Sequence, residues 1–209
     1  MSCERLLFIC TLTLGLATRG AALPVTYTVT VNTASVSGDT GSLDFNFNPG
    51  PLVTQAANLQ ILNFSTDGTP NGAPVLTGDV SGAIPSALTF DNGTTFNDYF
   101  QGFTYASVLS FNVSISGPAV TNPDGVSTSG STFAFSMFSD PAGTIPALTS
   151  DTVEGFAYIV NINLDGTTTA TSFLRTTNVP EPTSGSFALA GIFFSMAALA
   201  QIRKQKQIR

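Results

Sequence analysis

The feature that most constrains this chain is a two-residue alternation of apolar and polar side chains, repeated in segment after segment. "VTYTVTVN" sets Val25, Tyr27, Val29 and Val31 against Thr26, Thr28 and Thr30. "SLDFNFN" sets Leu43, Phe45 and Phe47 against Asp44, Asn46 and Asn48. The longest run, "FTYASVLSFNVSIS", places Phe103, Tyr105, Leu109, Phe111, Val113 and Ile115 on one side. "STFAFSMF" and "GFAYIVNINLDG" continue through Phe133, Phe135 and Met137, then Phe156, Tyr158, Val160, Ile162 and Leu164. A weaker last strand is "TTTATSFLRT". Successive side chains of a strand point to opposite faces, so each segment has one dry and one wet face. That is the pattern of antiparallel sheets packed face to face. Turn dipeptides that tolerate positive φ separate the runs: Asp67-Gly68, Asn71-Gly72, Asn92-Gly93, Asp124-Gly125 and Asp165-Gly166. No stretch of the body shows a capped 3.6-residue period. The expectation is an all-β fold, an antiparallel β-sandwich or jelly roll of about eight strands.

Charge and side-chain chemistry then remove whole classes of function. Residues 23 to 182 carry twelve of the thirteen acids and a single base, Arg175, a net charge of −11. Nucleic acids and anionic membrane surfaces are bound through basic patches, so such a body repels both. Both cysteines, Cys3 and Cys10, precede the body, and histidine and tryptophan are absent from all 209 residues. The body therefore lacks a thiol nucleophile, a disulfide and an imidazole shuttle or ligand. A serine or threonine nucleophile needs a His or Lys base, and the body has neither. A carboxyl pair for glycoside chemistry is available by count, but most aspartates fall in turns or on wet faces. The chain does not read as an enzyme.

The first residues read as an export signal. Arg5 lies in a short n-region, Leu6 to Ala17 form an apolar stretch, and Gly20 and Ala22 are small residues spaced for cleavage after Ala22. Twelve residues are too few to span a bilayer, which takes about 20. The expected organisation is thus a signal peptide over 1–22, a β-sandwich ectodomain over 23–176 and a C-terminal element over 177–209. Prolines in "TNVPEP" set that second boundary, because they cannot join a central strand and favour an extended spacer.

The C-terminal element has three parts in order. Pro180, Glu181 and Pro182 come first, a stiff segment without amide donors at its prolines that presents one carboxylate. From Thr183 to Ile202 the chain carries no charge, enough for a helix of ~30 Å, so a single transmembrane helix is expected over 184–202. Arg203, Lys204, Lys206 and Arg209 then form a basic tail, which retains the C-terminus in the cytoplasm as a membrane stop signal.

This tail resembles the PEP-CTERM sorting domain, over roughly the last thirty residues: Val179-Pro180-Glu181-Pro182, a helix rich in small residues, and a basic cluster at the end. The resemblance implies processing by an exosortase, an integral-membrane enzyme of Gram-negative bacteria that make exopolysaccharide. By that likeness the chain is exported, held transiently in the inner membrane, recognised at Pro180, Glu181 and Pro182, and then placed on the cell surface or in the extracellular matrix. Exosortase, the inner membrane and exopolysaccharide are the implied partners. The chain departs from the pattern in the extra Ser184-Gly185-Ser186 and in the glutamines that interrupt its bases.

The resulting functional expectation is an exported structural or adhesive protein of the surface or matrix. The alternative is a lectin-like module that binds calcium or carbohydrate through acidic loops. Its densest candidate is "TFDNGTTFNDYFQGF", with Asp91, Asn92, Asn97 and Asp98 among Phe96, Tyr99, Phe100 and Phe103. Asp91 and Asp98 are the candidate calcium ligands. No EF-hand spacing is present, and the aromatic residues read as core. Apart from calcium, no cofactor is expected.

Overall fold

The structure, a computed structural model, describes residues 23–175. The expected signal with Ala22, and the tail with Pro180, Glu181, Pro182, Arg203, Lys204, Lys206 and Arg209, lie outside the described residues. Within them the chain is all-β and forms two antiparallel sheets. Eleven strands are present: β1 (Val25–Asn32), β2 (Thr40–Pro49), β3 (Asn58–Thr66), β4 (Thr69–Thr77), β5 (Val80–Gly82), β6 (Leu88–Asp91), β7 (Asp98–Thr104), β8 (Val108–Ser116), β9 (Ser131–Phe138), β10 (Phe156–Ile162) and β11 (Thr168–Ser172). The first sheet has the order β1-β8-β3-β6-β5, and the second β11-β10-β9-β2-β7-β4. A 3-10 turn at Ala34–Val36 and one helical turn at Pro118–Thr121 are the helical elements of this region.

The count exceeds the eight or so strands that alternation suggested, for three physical reasons. The run from Phe103 to Ser116 is two strands in different sheets, because the chain crosses the edge of the sandwich at residues 105–107. The crossing is held by the Asp67 carboxylate, which accepts from the amides of Ser107 at 2.9 Å and Val108 at 3.0 Å. Both strands face the same core, so alternation passes through the crossing unbroken. β3 hides its period behind a register shift between Leu62 and Ser65, where Asn63 takes φ 54° and Phe64 joins Leu59 and Ile61 in the core. β4 contains Pro70 and Pro74 and pairs only with β7, the edge position that prolines tolerate. β10 also departs from its expected pattern: a bulge between Phe156 and Tyr158 buries Ala157, and Leu164 lies exposed beyond the strand.

Phenylalanines from both sheets meet in the centre. Phe45 and Phe135 of the second sheet lie 4.9 Å apart between ring centroids, and each packs against Phe111 of the first, at 5.3 and 4.9 Å. Phe64 stacks on Phe111 at 6.4 Å and meets Phe45 edge-on at 6.5 Å. All but Phe64 are essentially unexposed. Edge-on ring contacts of this kind add to the ~1.5–3 kcal/mol gained by burying each side chain.

The outer face of the second sheet is not uniformly wet. Ala134, Ser136 and Phe138 on the outer side of β9 are buried. Residues 139–155 return along the end of β9, with Ser139 N donating to Ile145 O and Ala147 N to Met137 O. Gly143 at the tip of this excursion has φ 72°, and a Cβ there would stand 2.7 Å from Cε2 of Phe100. Only glycine lets the loop lie against that ring.

The three-ring contact predicts that Phe111→Ala lowers unfolding stability by roughly 3–5 kcal/mol, since the two facing sheets cannot collapse into the vacated volume. Denaturant unfolding of the full chain beside wild type measures it, and a loss below about 1 kcal/mol would show that the rings do not hold the sheets together.

Candidate functional site

Five of the eleven acids between residues 23 and 175 build turns and crossings. Asp124 accepts from the amides of Val126 and Ser127, Asp140 from those of Ala142, Thr144 and Ile145, Asp151 from those of Val153 and Glu154, and Asp165 from that of Thr167. Asp67, Asp124 and Asp165 are exposed and Asp140 and Asp151 half-exposed, and bonds from amides and hydroxyls hold all five carboxyls below the usual range. An Asx arrangement of this kind builds a loop and leaves the carboxylate no free direction of high affinity.

The acid-rich segment 89–103 is placed differently from the calcium reading. Asp91 ends β6 on the outer face of the first sheet, where its carboxylate accepts from Asn58 Nδ2. Asp98 begins β7 on the outer face of the second sheet. Leu88 and Phe90 of β6 and Tyr99 of β7 point into the core between them. The two carboxylates therefore face away from each other across a sandwich about 10 Å thick, and the fold does not bring Asp91 and Asp98 together. Seven residues of separation hid this, because the intervening loop carries the chain from one sheet to the other.

Asn92 and Asn97 are structural knots. Asn97 is unexposed and ties three segments together: its Nδ2 donates to Phe47 O and Thr94 O at 2.9 Å each, and its Oδ1 accepts from Asp79 N at 2.8 Å and from Thr94 Oγ1. Asn92 donates to Gln55 O at 2.9 Å and Ser131 Oγ at 2.8 Å, and accepts from Ala57 N at 2.9 Å. The cleft they back, lined by Pro49, Gly50, Pro51, Leu52, Thr54 and the loop 92–95, presents no charged side chain. Tyr99 and Phe103 are core, Phe100 lies partly covered on the outer face, and Phe96 is exposed.

One carboxyl pair is not explained by turn building. Asp44 and Asp98 both point outward from the second sheet, on adjacent strands, where Asp98 is paired with Asn46 and Asp44 with Phe100. Across β9, Asp44 faces Ser136 and Asn46 faces Ala134, both buried. Asn46 Nδ2 donates to Asp44 Oδ1 at 2.7 Å. Burial, and then the hydrogen bond and charge of Asp98, push the Asp44 carboxyl up to about 9, and burial raises Asp98 as well. Two acceptor atoms here, Asn46 Oδ1 and Asp98 Oδ1, are enclosed without a hydrogen-bond partner. Enclosed acceptors normally find donors, so this is the one place in the described domain where polar chemistry is left open. The alternation put Asp44 and Asn46 on a wet face; Gly143 of the excursion 139–155 packs against Phe100, the residue paired with Asp44, a long-range contact with no local signature.

Among the described residues, no three carboxylates, thiols or imidazoles gather where they would hold a metal ion. No protein-family model matches the chain, and no curated protein or solved structure is similar to it.

The Asn97 knot predicts that Asn97→Ala strands the Phe47 carbonyl and the Asp79 amide, at about 1–3 kcal/mol for each group that water cannot reach. Thermal unfolding of the full chain reads the loss, and an unchanged Tm would mean that the loop 92–97 is held by Asn92 alone.

Proposed function

We propose that this is an exported, non-enzymatic protein of the cell surface or extracellular matrix, sorted by an exosortase through Pro180, Glu181 and Pro182 and structural or adhesive in use. The observation that carries the reading is the ordered tail: a Pro-Glu-Pro element, an uncharged stretch from Thr183 to Ile202, and the bases Arg203, Lys204, Lys206 and Arg209. By the likeness, the tail is held in the inner membrane before processing and the product is associated with exopolysaccharide.

The fold is compatible with display. Val25 enters the sandwich at the end where the loops 49–57, 92–97 and 117–130 gather, and Arg175 leaves it at the opposite end, beside Leu148 and Thr149. There the backbone amide of Arg175 donates to Leu148 O at 2.9 Å and its Nε to Thr149 O at 2.7 Å. A tail that anchors or transfers the chain from that end leaves the loop-rich end pointing away from the attachment. The two-sheet core, without a disulfide in residues 23–175, also needs no oxidising partner to fold after export.

Two variants test the sorting claim. Glu181→Gln removes the recognition anion without touching the core or the apolar stretch, so processing slows while export persists. Deleting residues 203–209 weakens retention, so some chains pass through the membrane uncut. The mass of the released C-terminus, in cells with and without the exosortase gene, reads both. Wild-type cleavage of Glu181→Gln reduces the Pro-Glu-Pro element to a spacer, and equal full-length membrane retention in both strains removes exosortase sorting altogether.

A further inference from the structure

The domain contains a group of side chains that neither turn building nor sorting uses: Asp44, Asn46 and Asp98, on the outer face of the second sheet where β2 meets β7. We propose that Asp44 and Asp98 share a proton across this joint and act as a pH-sensitive clasp, closed when the proton is held and opening the β7–β4 edge when it is lost.

The argument begins with geometry. Asp44 and Asp98 are diagonal neighbours on adjacent antiparallel strands, offset by two residues from direct pairing, a spacing that lets carboxyl side chains meet. The carboxyls of Asp44 and Asp98 lie within hydrogen-bond reach of each other, and Asn46 Nδ2 donates to Asp44 Oδ1. Asp98 Oδ1 and Asn46 Oδ1 are enclosed and have no partner. With both acids ionised the group would hold two negative charges and an excess of acceptors away from water, which is costly. One proton on the pair turns a repulsive contact into a carboxyl–carboxylate hydrogen bond, the strong, charge-assisted kind.

The surroundings offer no cation to replace that proton. From β9 the pair is faced by Ala134 and Ser136, from β4 by Val75 and Thr77, and from β7 itself by Phe100. The excursion 139–155 carries acids and no base: Asp140, Asp151 and Glu154, of which the first two are bonded within their own loop. Arg175, the one base in residues 23–175, donates to Thr149 O. The elevated carboxyl of Asp44, whose largest cause is burial and whose next is Asp98, agrees with this arrangement.

What the clasp controls follows from topology. β4 is an edge strand that pairs only with β7, and its ladder is already broken by a register shift between Asn71 and Val75. Below the shift, Asn71 Nδ2 donates to Thr104 Oγ1 at 2.8 Å and Gln101 Nε2 to Asn71 O at 2.9 Å. Above it, Val75, Leu76 and Thr77 depend on Phe100, Tyr99 and Asp98. Repulsion between Asp44 and Asp98 loosens β7 from β2 at that upper half, and β4 goes with it.

The direction is fixed by linkage. Asp44 binds its proton more tightly folded, at about 9, than unfolded, at 3.8, so the clasp's contribution is complete at and below pH 3.8 and is lost as pH rises toward 9. Hydrogen exchange of the full chain, corrected for the intrinsic base-catalysed rate, should show protection over 75–77 and 98–100 falling between pH 6 and pH 9, by up to about tenfold per pH unit, while β1 and β8 stay protected. In Asp44→Asn, the new amide donates to Asp98 as the protonated acid did, so the fall should largely vanish. Equal pH dependence in wild type and Asp44→Asn overturns the clasp, as does unchanged protection of the wild type. If Asp44→Asn does not fold, carbon-13 carboxyl NMR of the wild-type chain decides: an Asp44 signal titrating above neutrality supports the shared proton, and one titrating at the ordinary carboxyl value of about 4 rules it out.

Discussion

Contact between Phe45, Phe111 and Phe135 is the interaction on which the rest of this domain depends. Residues 23–175 have no cysteine to bridge the sheets and one base to pair with the acids, so the two layers are joined by apolar burial and by nothing covalent. Such a core tolerates a highly acidic surface only because the charges stay outside it. The largest unexposed side chains are Tyr99, Tyr105 and seven phenylalanines, together with Leu43, Leu59 and Ile61. Even the tyrosines comply: Tyr105 OH reaches Ser42 O at 2.7 Å and Phe138 O at 3.0 Å, which satisfies its hydroxyl inside the sandwich.

Given that core, the polar residues divide into two kinds. Exposed aspartates make loops by accepting backbone amides, and buried asparagines tie loops to strands. Asn97 is suited to the second task because a carboxamide both donates and accepts, whereas an aspartate in the same enclosed position would bring a charge with nothing to neutralise it. The short side chains Thr, Ser, Asn and Asp thus do in this chain what disulfides and ion pairs do elsewhere. A sequence with one base between residues 23 and 175 has little else available.

How far the sequence foretold this depended on whether the determining contact was local. β1, β2 and β9 were readable because each lies wholly in one sheet and sends large apolar side chains to the core at every second position, as with Phe133, Phe135 and Met137 in β9. β3 was not, because its bulge moves the core position from odd to even residues at Phe64. The crossing at residues 105–107 was invisible for the opposite reason: alternation continued through it, although the strands on either side belong to different sheets. Asp91 and Asp98 looked adjacent and proved to face opposite directions. Asp44 looked solvated and is only partly exposed, paired with Phe100, on which Gly143 packs from almost a hundred residues further on. In each case the misread quantity was the tertiary environment of a correctly recognised chemical type.

The same division of the acids sets two opposed pH dependences in one small domain. Asp67, Asp124, Asp140, Asp151 and Asp165 have carboxyls held below 3.8, so what they contribute is present above that value and is lost as pH falls through their lowered range. Lying at the surface, each contributes little, and salt screens it. Asp44 and Asp98 work in the reverse sense, from a part-buried site that salt screens less than the open surface. Five weak terms that fail in acid and one coupled pair whose contribution declines above pH 3.8 place the greatest stability near that ordinary aspartate value, well on the acid side of neutrality. That asymmetry follows from where the carboxyls sit and not from their number: of the ten aspartates, Asp44 and Asp98 are the two whose carboxyls burial raises.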